Sequence, residues 1–291
     1  MKLIETRVAI IGLGLMGGSL ARALQGNVAS LIGVDINPIS LDYARGLDIF
    51  DHLSPDSAEG LRRCDLAILA LPVRGILDLI ARINRDLPAP PYLMDLGSTK
   101  KAITRSMQAL PGEVNPIGGH PLCGKETAGI QASEADIFQG STFVLTPLAR
   151  TSPACLSLAE ELAASIGARP LVMDAEEHDR MLAITSHLPY LVSVTLTKTA
   201  IEAEGPDRLL RELIASGFID TTRIAASDVR MISDVLLTNR VHLLQALRHF
   251  SGNAETLANL IENGSPDALC EGLMPIQRWR QGIQKHAFEE A

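Results

Sequence analysis

The residues best placed to do chemistry begin with a glycine cluster. Val8-Ala9-Ile10-Ile11 runs straight into Gly12-Leu13-Gly14-Leu15-Met16-Gly17, the pattern G-x-G-x-x-G. Gly12 permits a tight turn, Gly14 lets the backbone approach a pyrophosphate, and Gly17 lets the following helix pack closely on its strand. Leu13, Leu15 and Met16 fall in the same turn and in the helix start, where N–H groups face an anion. A second apolar run, Leu31–Asp35, ends in an acid 18 residues after Gly17, placed to accept the ribose hydroxyls of an adenosine. Asp35 would repel a 2′-phosphate, and Ile36-Asn37-Pro38 brings no cation to offset it, so the pattern predicts NAD rather than NADP. Leu71 and Pro72, at the end of a later apolar run, are expected to line a ribose. The blander alternative is a plain strand–turn–helix with a surface Asp.

Further on, two segments could supply a base and its partner. Asp95-Leu96-Gly97-Ser98-Thr99-Lys100 follows one apolar run, and Gly118-Gly119-His120-Pro121-Leu122-Cys123-Gly124 follows the next. Ligands of open α/β sheets bind at the carboxyl ends of the strands. A His held there by glycines and a proline is a poised base, with Ser98 one strand away. Later, Glu177-His178-Asp179 and Ser186-His187-Leu188-Pro189 lie on one helical stretch, so His178, Ser186 and His187 can share a face. Ser216-Gly217-Phe218-Ile219-Asp220-Thr221-Thr222-Arg223 ends in an Arg that could clamp a carboxylate through a bidentate fork. Its alternative is a capping or domain-bridging ion pair.

These groups need elements to hold them. Val8–Gly12, Leu31–Asp35, Leu66–Pro72, Tyr92–Leu96, Val114–Ile117, Phe143–Thr146 and Pro170–Met173 read as strands, mostly continuous in Val, Ile and Leu, as strands covered on both faces are. Amphipathic segments such as Leu15–Leu24, Ile76–Leu87 and Cys155–Ile166 lie between them. The rhythm predicts a Rossmann-type α/β domain over residues 1–174, doubly wound around a mostly parallel sheet. After Asp174 only helical patterns appear: Glu176–Glu204, with a kink or break at Pro189, then Arg208–Ala215, a broken Asp228–Asn263, and Pro266–Phe288. Residues 175–291 are therefore read as an all-helical substrate and dimerisation domain. Met181–Ile201 is apolar on nearly every side and is expected to be buried, part of it against a second copy of the chain.

Composition narrows the classes. Twenty-six Lys and Arg against 34 Asp and Glu give a formal charge of −8, and aromatics are only 3%, which argues against a nucleic-acid partner. No apolar stretch is long enough for a membrane span. Cys64, Cys123, Cys155 and Cys270 form no C-x-x-C pair and no zinc spacing, so no metal is expected. Lys2 and Arg7 before an apolar run resemble a signal peptide, but Gly12, Gly14, Gly17 and Gly18 suit a turn better, and a cytoplasmic protein is expected.

Taken together, the Gly-rich turn, D-x-G-S-x-K, G-G-H-P, H-D, S-H-L-P and G-F-x-D-T-x-R resemble the prephenate/arogenate dehydrogenase family of tyrosine biosynthesis. The motifs fall in order from residue 8 to about residue 225. The resemblance implies an NAD-dependent oxidative decarboxylation in which His120 takes the substrate hydroxyl proton and Ser98 orients it. It further implies that Arg223 grips a carboxylate, with Lys100, His187, His178 and Ser216 on the substrate side and Ser98 also near the cofactor. Where many members carry a second His after S-H-L-P, this chain has Tyr190; Cys123 stands where a small apolar residue is usual. Two other readings stay open. G-L-G-x-M-G also opens β-hydroxyacid dehydrogenases, whose catalytic Lys would here have to be Lys198, in a segment without glycines. A non-enzymatic NAD-sensing dimer would need neither His120 nor Arg223.

Overall fold

The computed structural model describes residues 1–125, 127–206 and 208–289, with side chains described as far as 283. By internal packing it divides into two units, residues 1–240 and 241–291.

The first unit is built on eight strands: β1 (Arg7–Ile11), β2 (Ser30–Val34), β3 (His52–Ser54), β4 (Leu66–Leu69), β5 (Tyr92–Asp95), β6 (Asn115–Pro121), β7 (Thr142–Pro147) and β8 (Arg169–Val172). Their order is β3-β2-β1-β4-β5-β6-β7-β8, parallel except for the β6–β7 pair. Side chains on a strand alternate between faces, and the sheet uses both. Val8, Ile10, Leu66 and Ile68 join one core with Leu20, Leu24 and Leu158. Ala9, Ile11, Ala67 and Leu69 join the other with Leu61, Ile76, Ile80 and Ile103. This is why the strands read as unbroken apolar runs. The helices on the two faces are α1 (Leu15–Leu24), α2 (Pro38–Gly46), α3 (Ser57–Arg63), α4 (Val73–Ile83), α5 (Lys101–Met107) and α6 (Pro153–Ser165). Chain order reverses between β1 and β4, the switch point where a crevice opens beyond the carboxyl ends of the strands.

Two features depart from the expectations above. The short strand β3 was not among the expected strands. In addition, Gly118-Gly119-His120-Pro121 is not a turn beyond a strand but the end of β6 itself. Antiparallel pairing of Ile117–Pro121 with Phe143–Pro147 carries the ladder past the point where β5 stops.

After β8 come α7 (Ala175–Leu182), a π-helical turn over Ala183–His187, α8 (Leu188–Ala203), α9 (Leu209–Glu212), α10 (Ser216–Thr222) and α11 (Val229–Thr238). The π turn is the break expected from Pro189. Proline lacks an N–H and clashes with the carbonyl four residues back, and the wider turn relieves both. Along α8 only Ser193 is buried in the single chain, so the expected burial of Met181–Ile201 is not achieved within one copy. The second unit holds most of α12 (Arg240–Asn263) and α13 (Pro266–Glu289). It leaves Ile261, Leu273, Ile276 and Trp279 exposed. Among the described residues no helix is long and apolar enough to cross a membrane.

Candidate active site

The dinucleotide turn is shaped by contacts that forbid side chains. Gly12 has φ +102°, and a Cβ there would strike the Ala70 carbonyl; a Cβ on Gly17 would strike the Gly12 carbonyl. At Gly14 a Cβ would meet nothing within 4 Å, so the approach to that backbone is open. Leu15 and Met16, half-buried, begin α1 beside it. Leu13 contributes only backbone, since its side chain is fully buried. Its N–H donates to Asp35 Oδ2 at 2.7 Å, and Asn37 N–H donates to Oδ1 at 2.8 Å. Asp35 thus ties the turn to the end of β2 and keeps lone pairs for ribose hydroxyls. Half-buried Leu71 and exposed Pro72 follow β4 at the same edge. A pyrophosphate-linked dinucleotide fits this cradle.

One strand further along the sheet lies a cavity of about 450 Å³, lined by Ser98, His120, Cys123, Ser186, His187 and Tyr190 on its polar side. Leu182, Met231, Ile232, Val235 and Leu236 supply an apolar wall. Ser98 arrives on the loop between β5 and α5 and His120 at the end of β6, so the parallel β5–β6 pair brings the two motifs together. His187 arrives on the π turn, and its Nδ1 lies 3.1 Å from Asn239 Nδ2. Burial holds His187 down at about 4, so at neutral pH it offers hydrogen bonds without charge.

His120 is backed by a chain of groups. Its Nδ1 lies 2.9 Å from His178 Nε2, and His178 Nδ1 lies 2.8 Å from Asp179 Oδ1. Asp179 also accepts the backbone N–H groups of Lys100 (2.7 Å) and Lys101 (3.0 Å). Burial first, then the neighbouring His178, Lys100 and His187, push the His120 imidazole well below its ordinary value. It is therefore neutral at physiological pH and free to accept a proton.

Several of the expected substrate contacts do not line this cavity. His178 is fully buried, and both its ring nitrogens are engaged, so it stands behind His120 and not on the cavity wall. Lys100 is also fully buried; its Nζ donates to Asp95 and, at 2.6 Å, to the Gly119 carbonyl. Enclosed in this way, it does not line the cavity. The two glycines permit this: a Cβ on Gly119 would lie 2.8 Å from the Asp95 carbonyl oxygen, and one on Gly118 would strike Thr146. Ser216 and Arg223, at the start and just past the end of α10, are exposed and do not line the cavity. Lys198 is exposed and lies 3.5 Å from Glu202.

Other residues of the site were not singled out from sequence. The α11 wall is fastened by an Arg74–Asp234 ion pair (3.0 Å) and a Thr99–Thr238 hydroxyl contact (2.9 Å). Asn239 Nδ2 donates to the Asp179 carbonyl at 2.6 Å. The available signal was an Asn interrupting the apolar helical stretch, where α11 ends.

The family model for the prephenate dehydrogenase nucleotide-binding domain matches residues 20–172, and that for the prephenate dehydrogenase dimerization domain matches residues 174–275. A cyclohexadienyl dehydrogenase of Zymomonas mobilis is 33% identical over 281 residues, 95% of this chain and 96% of that protein. The crystal structure of prephenate dehydrogenase from A. aeolicus in complex with hydroxyphenyl propionate and NAD+ is similar at TM-score 0.88 and 31% identity, covering 97% of this chain and 98% of that one. Synechocystis arogenate dehydrogenase is similar at TM-score 0.81 and 28% identity, covering 95% and 99%. With both domain models in sequence order across one sheet and the helices that follow it, the chain belongs to the prephenate dehydrogenase family.

Proposed function

We propose that this chain catalyses the NAD-dependent oxidative decarboxylation of prephenate, arogenate or both. The observation that carries the reading is the meeting of Ser98 and His120 in one cavity beside the dinucleotide cradle. Bound NAD⁺ supplies the hydride acceptor. Neutral His120 takes the proton of the ring hydroxyl, Ser98 orients that hydroxyl, and the α11 wall receives the ring and keeps water from it. The ketone that forms at the carbinol carbon draws electrons from the departing carboxylate, and aromatisation drives the loss of carbon dioxide. Residues 1–174 would hold the cofactor, and residues 175–291 the substrate side and the dimer contact. The incompletely buried α8 and the dimerization-domain match support a homodimer. Four free cysteines fit a reducing cytoplasm.

The test is formation of reduced cofactor (NADH or NADPH) with prephenate, arogenate and 3-hydroxyisobutyrate, each with NAD⁺ and NADP⁺. Turnover of 3-hydroxyisobutyrate alone would favour the β-hydroxyacid dehydrogenase reading, and turnover of none would favour an NAD-sensing dimer. Asp35→Ser is expected to shift the NAD⁺/NADP⁺ ratio of kcat/KM toward NADP⁺ by about tenfold. Repulsion between like charges a few ångströms apart is on the order of 1–4 kcal/mol between water and a protein surface. A parent that already prefers NADP⁺ contradicts this use of Asp35. Arg223 does not line the cavity of the single chain, and its motif is what supports a contact with a substrate carboxylate. Arg223→Ala is expected to raise KM roughly ten- to a hundredfold, as loss of a charged hydrogen bond of about 1.5–3 kcal/mol requires. Unchanged KM for both ring substrates removes Arg223 from the site.

A further inference from the structure

We propose that His178 and Asp179 are positioning residues for the base: they hold His120 as its Nδ1–H tautomer and take the charge of the abstracted proton inward. This rests on the reading of His120 as the base and adds the means by which its reactive nitrogen is chosen.

The hydrogen bonds fix the tautomers in sequence. Asp179 is buried, and its carboxylate faces two backbone N–H groups, which can only donate. Its Oδ1 is also the partner of His178 Nδ1, so that nitrogen carries a proton. A neutral imidazole has one N–H, which leaves His178 Nε2 as an acceptor. The group facing it is His120 Nδ1, which must therefore be the protonated nitrogen of that ring. The lone pair of His120 is thus left on Nε2. The rings meet edge-on, with centroids 5.1 Å apart and planes at 67°. Asn239 holds the carbonyl of Asp179 from the end of α11, so the arrangement is fixed from two sides.

The same chain gives the proton a place to go. The substrate O–H bond breaks as a bond forms to His120 Nε2; the Nδ1 proton of His120 then passes to His178 Nε2. One positive charge results, now on His178 with its Nδ1–H directed at the Asp179 carboxylate. Left on His120, that charge would face Lys100, whose own charge is matched by Asp95 below, and His187 from the π turn. Cys123 and Tyr190 are the other titratable groups on the cavity wall.

His178→Phe removes the acceptor, whereas His178→Gln keeps a carbonyl that can take the His120 N–H but cannot carry the proton further. We expect His178→Phe to lower kcat about ten- to a hundredfold, the usual effect of losing a partner that orients a functional imidazole, with KM for NAD⁺ unchanged. His178→Gln should recover part of that loss. In a His120→Asn background, His178→Phe should add nothing, because its effect passes through His120. In ¹⁵N-histidine-labelled parent protein, long-range proton–nitrogen spectra should show His120 protonated at Nδ1, and in His178→Gln as well. The proposal is overturned if the parent's His120 carries its proton on Nε2. It also fails if His178→Phe and His178→Gln both keep parental kcat, or if His178→Phe costs the same factor with and without His120. Parental kcat in His120→Asn itself would instead refute the underlying assignment of the base.

Discussion

Replacing His120 with Asn is expected to lower kcat by about 10²–10⁴-fold, the usual contribution of a positioned general base. Asn keeps a polar side chain at the end of β6 but cannot accept a proton. Affinity for NAD⁺ should be nearly unchanged, because the proposed dinucleotide cradle, Gly12–Gly17 with Asp35, lies on the far side of the switch point from β6. The pH profile adds a second measurement. Burial and three neighbouring imidazole or ammonium groups hold the His120 pKa well below its usual position. The base is competent when unprotonated, so activity should be retained above that lowered pKa and fall as pH drops through it. The acid limb of kcat/KM, which reports the free enzyme, should therefore lie clearly below the ordinary imidazole range. Ser98→Ala should cost less than His120→Asn, since it removes an orienting group and not the proton acceptor. A His120→Asn enzyme with parental kcat at every pH would reduce His120 to a structural residue of the strand.

The second large effect is on stability. Lys100→Met is expected to destabilise the fold by about 3–5 kcal/mol, the cost of leaving one partner of a buried pair without the other. At about 2–4 °C per kcal/mol for a domain of this size, Tm should fall by on the order of 10 °C. Lys100 and Asp95 are both fully buried, and burial already raises the Asp95 carboxyl above its ordinary value even with Lys100 beside it. Without Lys100 that rise should grow. A carboxyl whose folded pKa lies above its unfolded one favours the folded state most at low pH and loses that advantage as pH rises through the folded value. The deficit of Lys100→Met should thus widen from acidic to neutral pH. Adding Asp95→Asn removes the stranded charge and should restore a large part of the stability. Urea unfolding at acidic and neutral pH measures both. Equal deficits at the two pH values, or a double variant no better than the single, would show that Asp95 carries no charge that Lys100 must balance.

The sequence by itself determined what depends on neighbours along the chain. Side chains that alternate between two covered faces make a strand an unbroken apolar run, which made β1, β2, β4 and β5 legible; His52–Ser54, three residues with two polar, was not. The glycine turn and Asp35 were also legible, because a strand, a turn, a helix and the next strand complete that unit within about thirty residues. Pro189 announced a break through its missing N–H, although not that the break would be a π turn.

Only the tertiary structure decided what each charged or titratable group faces. Lys100 reads as a cation waiting for a carboxylate until the sheet places Asp95 and the Gly119 carbonyl around it. His178 reads as a ligand contact until folding sets it against a histidine 58 positions earlier. The apolar wall of α11 reads as ordinary helix core until Arg74, Thr99 and Asp179 fasten it over the strand ends. Periodicity reports which face of an element avoids water. It carries no information about which distant polar group will share that dry interior, and burial with its few available partners is what sets the charge and the role of each side chain.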